Sequence, residues 1–288
     1  MREFDEASLT DAVVQRFGET PDPRLREVMQ SLVRHLHAFV RDVEPSFAEW
    51  QAAIGFLTRT GQKCDDVRQE FILLSDTLGV SMLVDAINHR VAGGATPTTV
   101  LGPFYVDNPP ELPLGSELAT AASGERLHVS GRVTSADGAP LADAIVDVWQ
   151  SDAEGFYDVQ RPAGEAPELR ARFRTDAEGC YHFWTVTPAA YPVPTDGPVG
   201  EMLRATGRHP MRPAHVHFMI AAPGHETLVT HVFADGDPYL DSDAVFGVKE
   251  ALVRPFALQA PGPAPDGRSM TGPWRRLAYD FTLARATG

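Results

Sequence analysis

Apolar residues recur at helical spacing through the first part of this chain. Leu25, Val28, Met29, Leu32, Leu36, Phe39, Val40 and Val43 fall three or four positions apart, the stripe of an amphipathic helix. Asp22-Pro23 gives that helix an N-cap and a proline at its first position, where a missing N–H costs nothing. Ser46-Phe47-Ala48-Glu49 has the form of a capping box and opens a second helix through about Leu57. Helical patterns also cover 65–77 and 81–89, separated by a break at Gly79. The last is strongly apolar, which predicts burial against a partner helix or subunit.

From Gly93 the period changes. Gly93-Gly94-Ala95-Thr96-Pro97, Gly102-Pro103 and Asn108-Pro109-Pro110 read as turns or linker. Short alternating runs follow at 127–133, 144–149, 181–186, 214–221 and 228–233. Turn signals such as Asp137-Gly138 and Asp235-Gly236 separate them. Strands at this spacing predict a β-sandwich. Asp-Ala-Glu-Gly occurs at 152–155 and again at 176–179, which predicts two similar turns, not a repeat architecture. Segments 188–213 and 259–273 read as long irregular loops, a kind that is often functional. The fold class is therefore mixed α and β. A helical region with its linker spans 1–100, and a mainly antiparallel β-sandwich spans 101–288.

Composition narrows the function classes. With 25 Lys and Arg against 39 Asp and Glu the formal charge is −14, which argues against a basic surface for nucleic acid or anionic membrane. No Arg or Lys cluster stands out for a polyanion, so a neutral small molecule is the expected ligand. The apolar runs are too short to span a membrane, and the first residues lack the apolar core of a signal peptide. Cys64 and Cys180 are far apart and fit no metal or redox spacing. Two free thiols in a reducing, cytoplasmic setting are expected.

The chemistry concentrates in Arg212-Pro213-Ala214-His215-Val216-His217-Phe218. Alternate residues of a strand share a face, so His215 and His217 can aim two imidazoles at one point while Val216 packs the other way. Tyr157 and Tyr191 would complete a four-ligand set with two hard anionic oxygens, which suits ferric iron better than zinc or copper(I). Each residue also has a plainer reading. The histidines could be one packed and one exposed, Tyr157 a half-buried strand aromatic, Tyr191 a cover for the core, and Arg212 a solvated or ion-paired side chain. A zinc hydrolase built on His215 and His217 is disfavoured, because no carboxylate or third histidine completes an obvious set. A non-catalytic sandwich that binds a ligand is the other class to weigh.

In this order, Tyr157, Tyr191, Arg212, His215 and His217 resemble the intradiol ring-cleavage dioxygenases, non-haem iron(III) enzymes that open catechols between the two hydroxyls. Leu101-Gly102-Pro103-Phe104-Tyr105, Asp147-Val148-Trp149-Gln150 and Gly155-Phe156-Tyr157 extend the likeness through most of the chain. The runs 71–79, 156–160 and 237–249 look like the hydroxyquinol 1,2-dioxygenase branch; catechol or chlorocatechol is the alternative substrate. The resemblance implies one Fe(III) per subunit on Tyr157, Tyr191, His215 and His217. Tyr191 would leave the metal and take a substrate proton, and Arg212 would stabilise carbanion character on the ring as O2 attacks. The pocket walls would be Leu73, Val100, Leu101, Gly102, Pro103, Phe104, Val193, Pro194 and Val245, with Arg212 beside the ring. Asp76 would accept a hydrogen bond from the third hydroxyl of a benzenetriol; its plainer reading is a solvent-facing helix residue. His231 would orient an iron ligand or sit as a satisfied core histidine. By the same resemblance the helical region would form a homodimer and hold a phospholipid at its interface.

Overall fold

The computed structural model describes residues 3–65, 68–90, 94–118, 124–161 and 168–286. The chain divides into two compact units, Met1–Arg59 and Thr60–Gly288. No helix among the described residues is long and apolar enough to cross a membrane.

The first unit is helical. Helix α1 spans Leu9–Phe17, α2 spans Pro23–Val43, and α3 starts at Phe47 and runs to Gln62. Asp22 caps α2 as its spacing predicts, accepting from the backbone N–H groups of Arg24 at 2.8 Å and Leu25 at 3.2 Å. The capping box of α3 is reciprocal: the N–H of Ser46 donates to Glu49 at 2.8 Å, and that of Glu49 donates to the Ser46 hydroxyl at 3.3 Å. Helix α1 lies outside the helical segments that the sequence predicts. It is fastened to α2 by side chains, with Gln30 donating to the Val14 carbonyl and Arg41 to the Thr10 hydroxyl. The apolar stripe of α2 stays largely exposed on the single chain, Phe39 at 60% and Val43 at 56%.

In the second unit, helices α4 (Glu70–Thr77) and α5 (Val80–Asn88) precede the strands. They belong to the same compact unit as the sheets, although the composition changes only at Gly93. Asp66 and Val67 of the predicted helical segment, and Gly93 of the linker, lie outside the described residues. The strands are β1 (Arg126–Ser135), β2 (Ile145–Gln150), β3 (Arg170–Arg174), β4 (Cys180–Val186), β5 (Tyr191–Pro192), β6 (Met211–Arg212) and β7 (His215–Ala221). Then come β8 (Leu228–Ala234), β9 (Val253–Arg254), β10 (Ala257–Gln259), β11 (Gly262–Pro263), β12 (Ser269–Met270), β13 (Trp274–Ala278) and β14 (Phe281–Leu283).

Two five-stranded sheets form the sandwich. One has the order β3-β2-β7-β8-β9; in the other β1 pairs with β4, β13 and β14, and β10 lies beyond β13. Most pairs are antiparallel; β1 meets β13 and β14 in parallel, as β8 meets β9. Between the sheets lie Leu127, Val129 and Phe183 from one side and Val146, Val148, Val216, Phe218 and Ile220 from the other, all buried. At roughly 1.5–3 kcal/mol per fully buried large apolar side chain, this layer is the main source of the unit's stability.

Two expectations need correction. Segment 188–213 is not an irregular loop: it holds β5, helix α6 (Pro198–Ala205) and β6. Its Gly197-Pro198 start is a helix signal that the prolines around it obscure. Segment 259–273 likewise contains the small β11–β12 hairpin.

Candidate metal centre and its pocket

Strand β7 places the two histidines. Val216, Phe218 and Ile220 enter the core, so His215 and His217 project from the outer face of the sheet, yet both are buried. Trp149 of β2 and His231 of β8 are the register partners of His217, which sets three rings in one row across the sheet. The Trp149 and His217 rings stack at 4.6 Å.

Tyr157 is delivered by the turn after β2. The Asp152 carboxylate accepts from the N–H groups of Glu154 at 2.8 Å and Phe156 at 3.0 Å. Asp176 does the same for Glu178 and Cys180, so the repeated tetrapeptide makes two matching turns, as the sequence predicts. Gly155 has φ +89, and a Cβ there would stand 3.0 Å from that of Tyr191. Replacing Gly155 with Ala should therefore cost about 1–3 kcal/mol, read as a lower thermal midpoint of the metal-free protein. Tyr191 arrives on β5, paired with Arg212 on β6. Phe104 stacks on Tyr157 at 4.4 Å, and Arg170 holds both Asp158 and the Phe104 carbonyl.

These elements bring four donor atoms together. Tyr157 Oη lies 2.9 Å from His217 Nε2 and 3.3 Å from Tyr191 Oη, and His217 Nε2 lies 3.0 Å from His215 Nε2. Four ligands about 2.0 Å from one tetrahedral ion would stand about 3.3 Å apart, close to these three separations. The Pro213 carbonyl accepts a hydrogen bond from His215 Nδ1–H at 2.7 Å, which leaves the lone pair on Nε2. Burial, then the nearby Arg212 charge, pushes His215 down to about 3, so it is neutral as a ligand must be. Burial likewise lowers His217 and raises the Tyr157 phenol well above its ordinary value. The phenol stays protonated unless a cation displaces its proton.

The centre holds a third imidazole, His231, placed near an iron ligand by the resemblance but not counted in setting zinc aside. His231 is fully buried, and the nearest ring nitrogens of the three histidines lie within 4.8 Å of one another. Its Nδ1 faces the Arg212 guanidinium at 3.5 Å. Arg212 is also buried and places Nη1 3.4 Å from Tyr191 Oη. Its counter-ion is Asp243, 31 positions away, which carried no sequence signal. Burial pushes the Asp243 carboxyl up, but Arg212 more than offsets it and holds the group below the usual range.

Phe104, which stacks on Tyr157, also lines a cavity of about 410 Å³ with Leu73, Asp76, Pro103, Gln160 and Pro194 among others; Arg212 and the four donor residues are not in its lining. Asp76 is buried, not solvent-facing. Burial raises its carboxyl, against a hydrogen bond from Ser81 and the Arg212 charge. Gly102, at φ +78, brings its backbone against His217, where a Cβ would approach within 3.3 Å. Val193 and Val245 are buried, and Val100 and Leu101 lie on the approach to Gly102; none of these four is among the cavity's lining residues. The wall carrying Pro194 is fixed by Glu70, fully buried, which accepts from the N–H of Val199 at 3.1 Å and from Arg68 at 2.8 Å.

A family model described as "Dioxygenase" matches residues 100–284, and one described as "Catechol dioxygenase N terminus" matches residues 22–96. The chain belongs to the intradiol ring-cleavage dioxygenase family. Within it, the 6-chlorohydroxyquinol 1,2-dioxygenase of Cupriavidus pinatubonensis is 52% identical over 98% of this chain and 99% of its own. The structure of hydroxyquinol 1,2-dioxygenase from Pseudomonas putida DLL-E4 superposes with a TM-score of 0.93 at 50% identity, covering 98% and 99% of the two chains. That of catechol 1,2-dioxygenase from Pseudomonas arvilla C-1 gives 0.83 at 29% identity, covering 98% and 93%. Membership of this family sets aside the non-catalytic reading.

Proposed function

We propose that this chain uses ferric iron to open hydroxyquinol, benzene-1,2,4-triol, with O2, giving 3-hydroxy-cis,cis-muconate and its tautomer maleylacetate. The observation that carries the reading is the convergence of Tyr157, Tyr191, His215 and His217, joined through the Phe104 ring to the cavity that Asp76 lines. Two phenol oxygens and two imidazoles are a donor set for a hard trivalent ion. Held by these four residues, ferric iron would supply a Lewis acid that activates the diol toward O2. As a phenolate released by the entering diol, Tyr191 Oη would take one of the diol's two protons. Arg212 donates toward the same oxygen and meets negative charge as it develops on the ring. Phe104, Pro103, Leu73 and Pro194 offer apolar walls to a flat ring. Asp76 binds the hydroxyl that distinguishes the triol from catechol, and the higher identity to hydroxyquinol enzymes supports that choice.

The test is turnover of both substrates under air. Benzenetriol should be cleaved with a kcat/KM at least about tenfold above that of catechol, a difference one charge-assisted hydrogen bond can supply. A preference for catechol or a chlorocatechol would reject the substrate assignment while leaving the chemistry standing.

A second reading, zinc on His215, His217 and His231, is favoured by the spacing of the three rings. It is weaker because it leaves Tyr157 Oη, 2.9 Å from His217 Nε2 and 3.3 Å from Tyr191 Oη, without a role.

The exposed stripe of α2 supports a homodimer through the helical region, with a phospholipid at the interface as a further proposal. Sedimentation at micromolar concentration should return twice the chain mass of 31.3 kDa, and extraction should release a lipid; a monomer would contradict the dimer. Two free cysteines support a reducing, cytoplasmic setting.

A further inference from the structure

We propose that Asp243 is a positioning residue: its carboxylate, locked by the turn that follows it, aims one corner of the Arg212 guanidinium into the space between Tyr191 and His215. The inference rests on the reading of that space as the dioxygenase centre.

Arg212 and Asp243 are 3% and 4% exposed, and they meet as a fork. Arg212 Nε donates to Oδ1 at 3.1 Å and Nη2 to Oδ2 at 3.3 Å. Two parallel bonds fix the plane of the guanidinium as well as its place, which a single contact cannot do. With that edge held, the direction of Nη1 is determined. It points at Tyr191 Oη, 3.4 Å away, and at His215 Nε2, 3.5 Å away.

The carboxylate is held as firmly as the cation. Oδ1 accepts from the N–H of Val245 at 3.3 Å and Oδ2 from that of Gly247 at 2.9 Å. The turn is tied to the strand carrying Arg212, because the N–H of Ala244 donates to the Met211 carbonyl at 3.1 Å. Arg208 Nη2 donates to the Ala244 carbonyl at 2.9 Å, which pins the turn from its other side. A chain of bonds thus runs from backbone to carboxylate to guanidinium to site. A pair kept only to neutralise a buried charge would need proximity; this one has all its acceptor positions committed to direction.

The pairing also changes what Arg212 offers. Beside Asp243 the guanidinium is a fixed N–H donor as well as a charge, and its charge is still felt at His215 and His231.

Asp243→Asn keeps the shape but replaces one oxygen by an NH2, which must face a donor on Arg212 or Gly247. Asp243→Glu keeps the charge but pushes the fork out by one methylene. Both variants should keep stoichiometric iron and a KM within about threefold of wild type. Their kcat per bound iron should fall about thirtyfold, between the loss for a displaced group and that for a deleted transition-state donor. In the metal-free wild-type protein the Arg212 Nε–H should exchange with solvent slowly by NMR, and in Asp243→Asn fast. The proposal is overturned if kcat per iron is unchanged and only thermal stability falls, if KM alone rises, or if the wild-type Nε–H exchanges like that of a surface arginine. That last measurement needs no variant to fold. If wild type itself turns over neither benzenetriol nor catechol, the proposed function fails first, and the exchange result still decides the geometry.

Discussion

Replacing Tyr157 with Phe should remove tight ferric-iron binding and reduce ring cleavage by about a thousandfold or more. The phenol oxygen is the centre of the donor cluster, in contact with both Tyr191 Oη and His217 Nε2. Its loss takes away an anionic ligand and leaves His217 Nε2 facing a ring edge. The fold should survive, because the Phe104 stack and the core around the ring do not use the hydroxyl. The metal-free variant should therefore melt within a few degrees of metal-free wild type. Iron content, visible colour and turnover are the three readouts. Full iron loading with normal colour in this variant would show that Tyr157 is a packing residue.

Replacing Asp76 with Ala should lower kcat/KM for benzenetriol about a hundredfold and leave that for catechol within about threefold. The residue sits on α4, buried, on a wall of the cavity that the Phe104 ring joins to Tyr157. A hydrogen bond to a charged or nearly charged acceptor contributes about 1.5–3 kcal/mol, which is about ten- to 150-fold in rate. The effect is selective because only the triol carries the extra hydroxyl. Equal loss on both substrates would make Asp76 structural, and its Ser81 hydrogen bond would then be its main role.

How much was legible in the sequence follows from how local each signal is. The caps of α2 and α3 involve residues three apart, and both appear as the spacing predicts. The alternation at His215–Phe218 is equally local, and it places both imidazoles on one face. Strand β3 was missed although Arg170-Ala171-Arg172-Phe173-Arg174 alternates strictly. Its arginines mask the pattern because they pair with Asp158, Asp147 and Glu111, none of them nearby in sequence. The same reason hid the pairing of Arg212 with Asp243. Each depends on strand register or on a turn distant in the chain, which periodicity does not encode. The aromatic packing of Trp149 on His217 is a register effect of this kind. The resemblance to intradiol dioxygenases supplied the meeting of Tyr157 and Tyr191 with the histidines, which no local pattern contains.

The central claim is that two phenols and two imidazoles hold a single ferric ion. Elemental analysis of the purified protein together with its visible spectrum tests it most directly. One iron per chain, with a broad tyrosinate-to-iron charge-transfer band that disappears in Tyr157→Phe, is the expected result. Stoichiometric zinc in a colourless protein, retained in Tyr157→Phe and lost in His231→Ala, would contradict the account and place the metal on the three histidines instead.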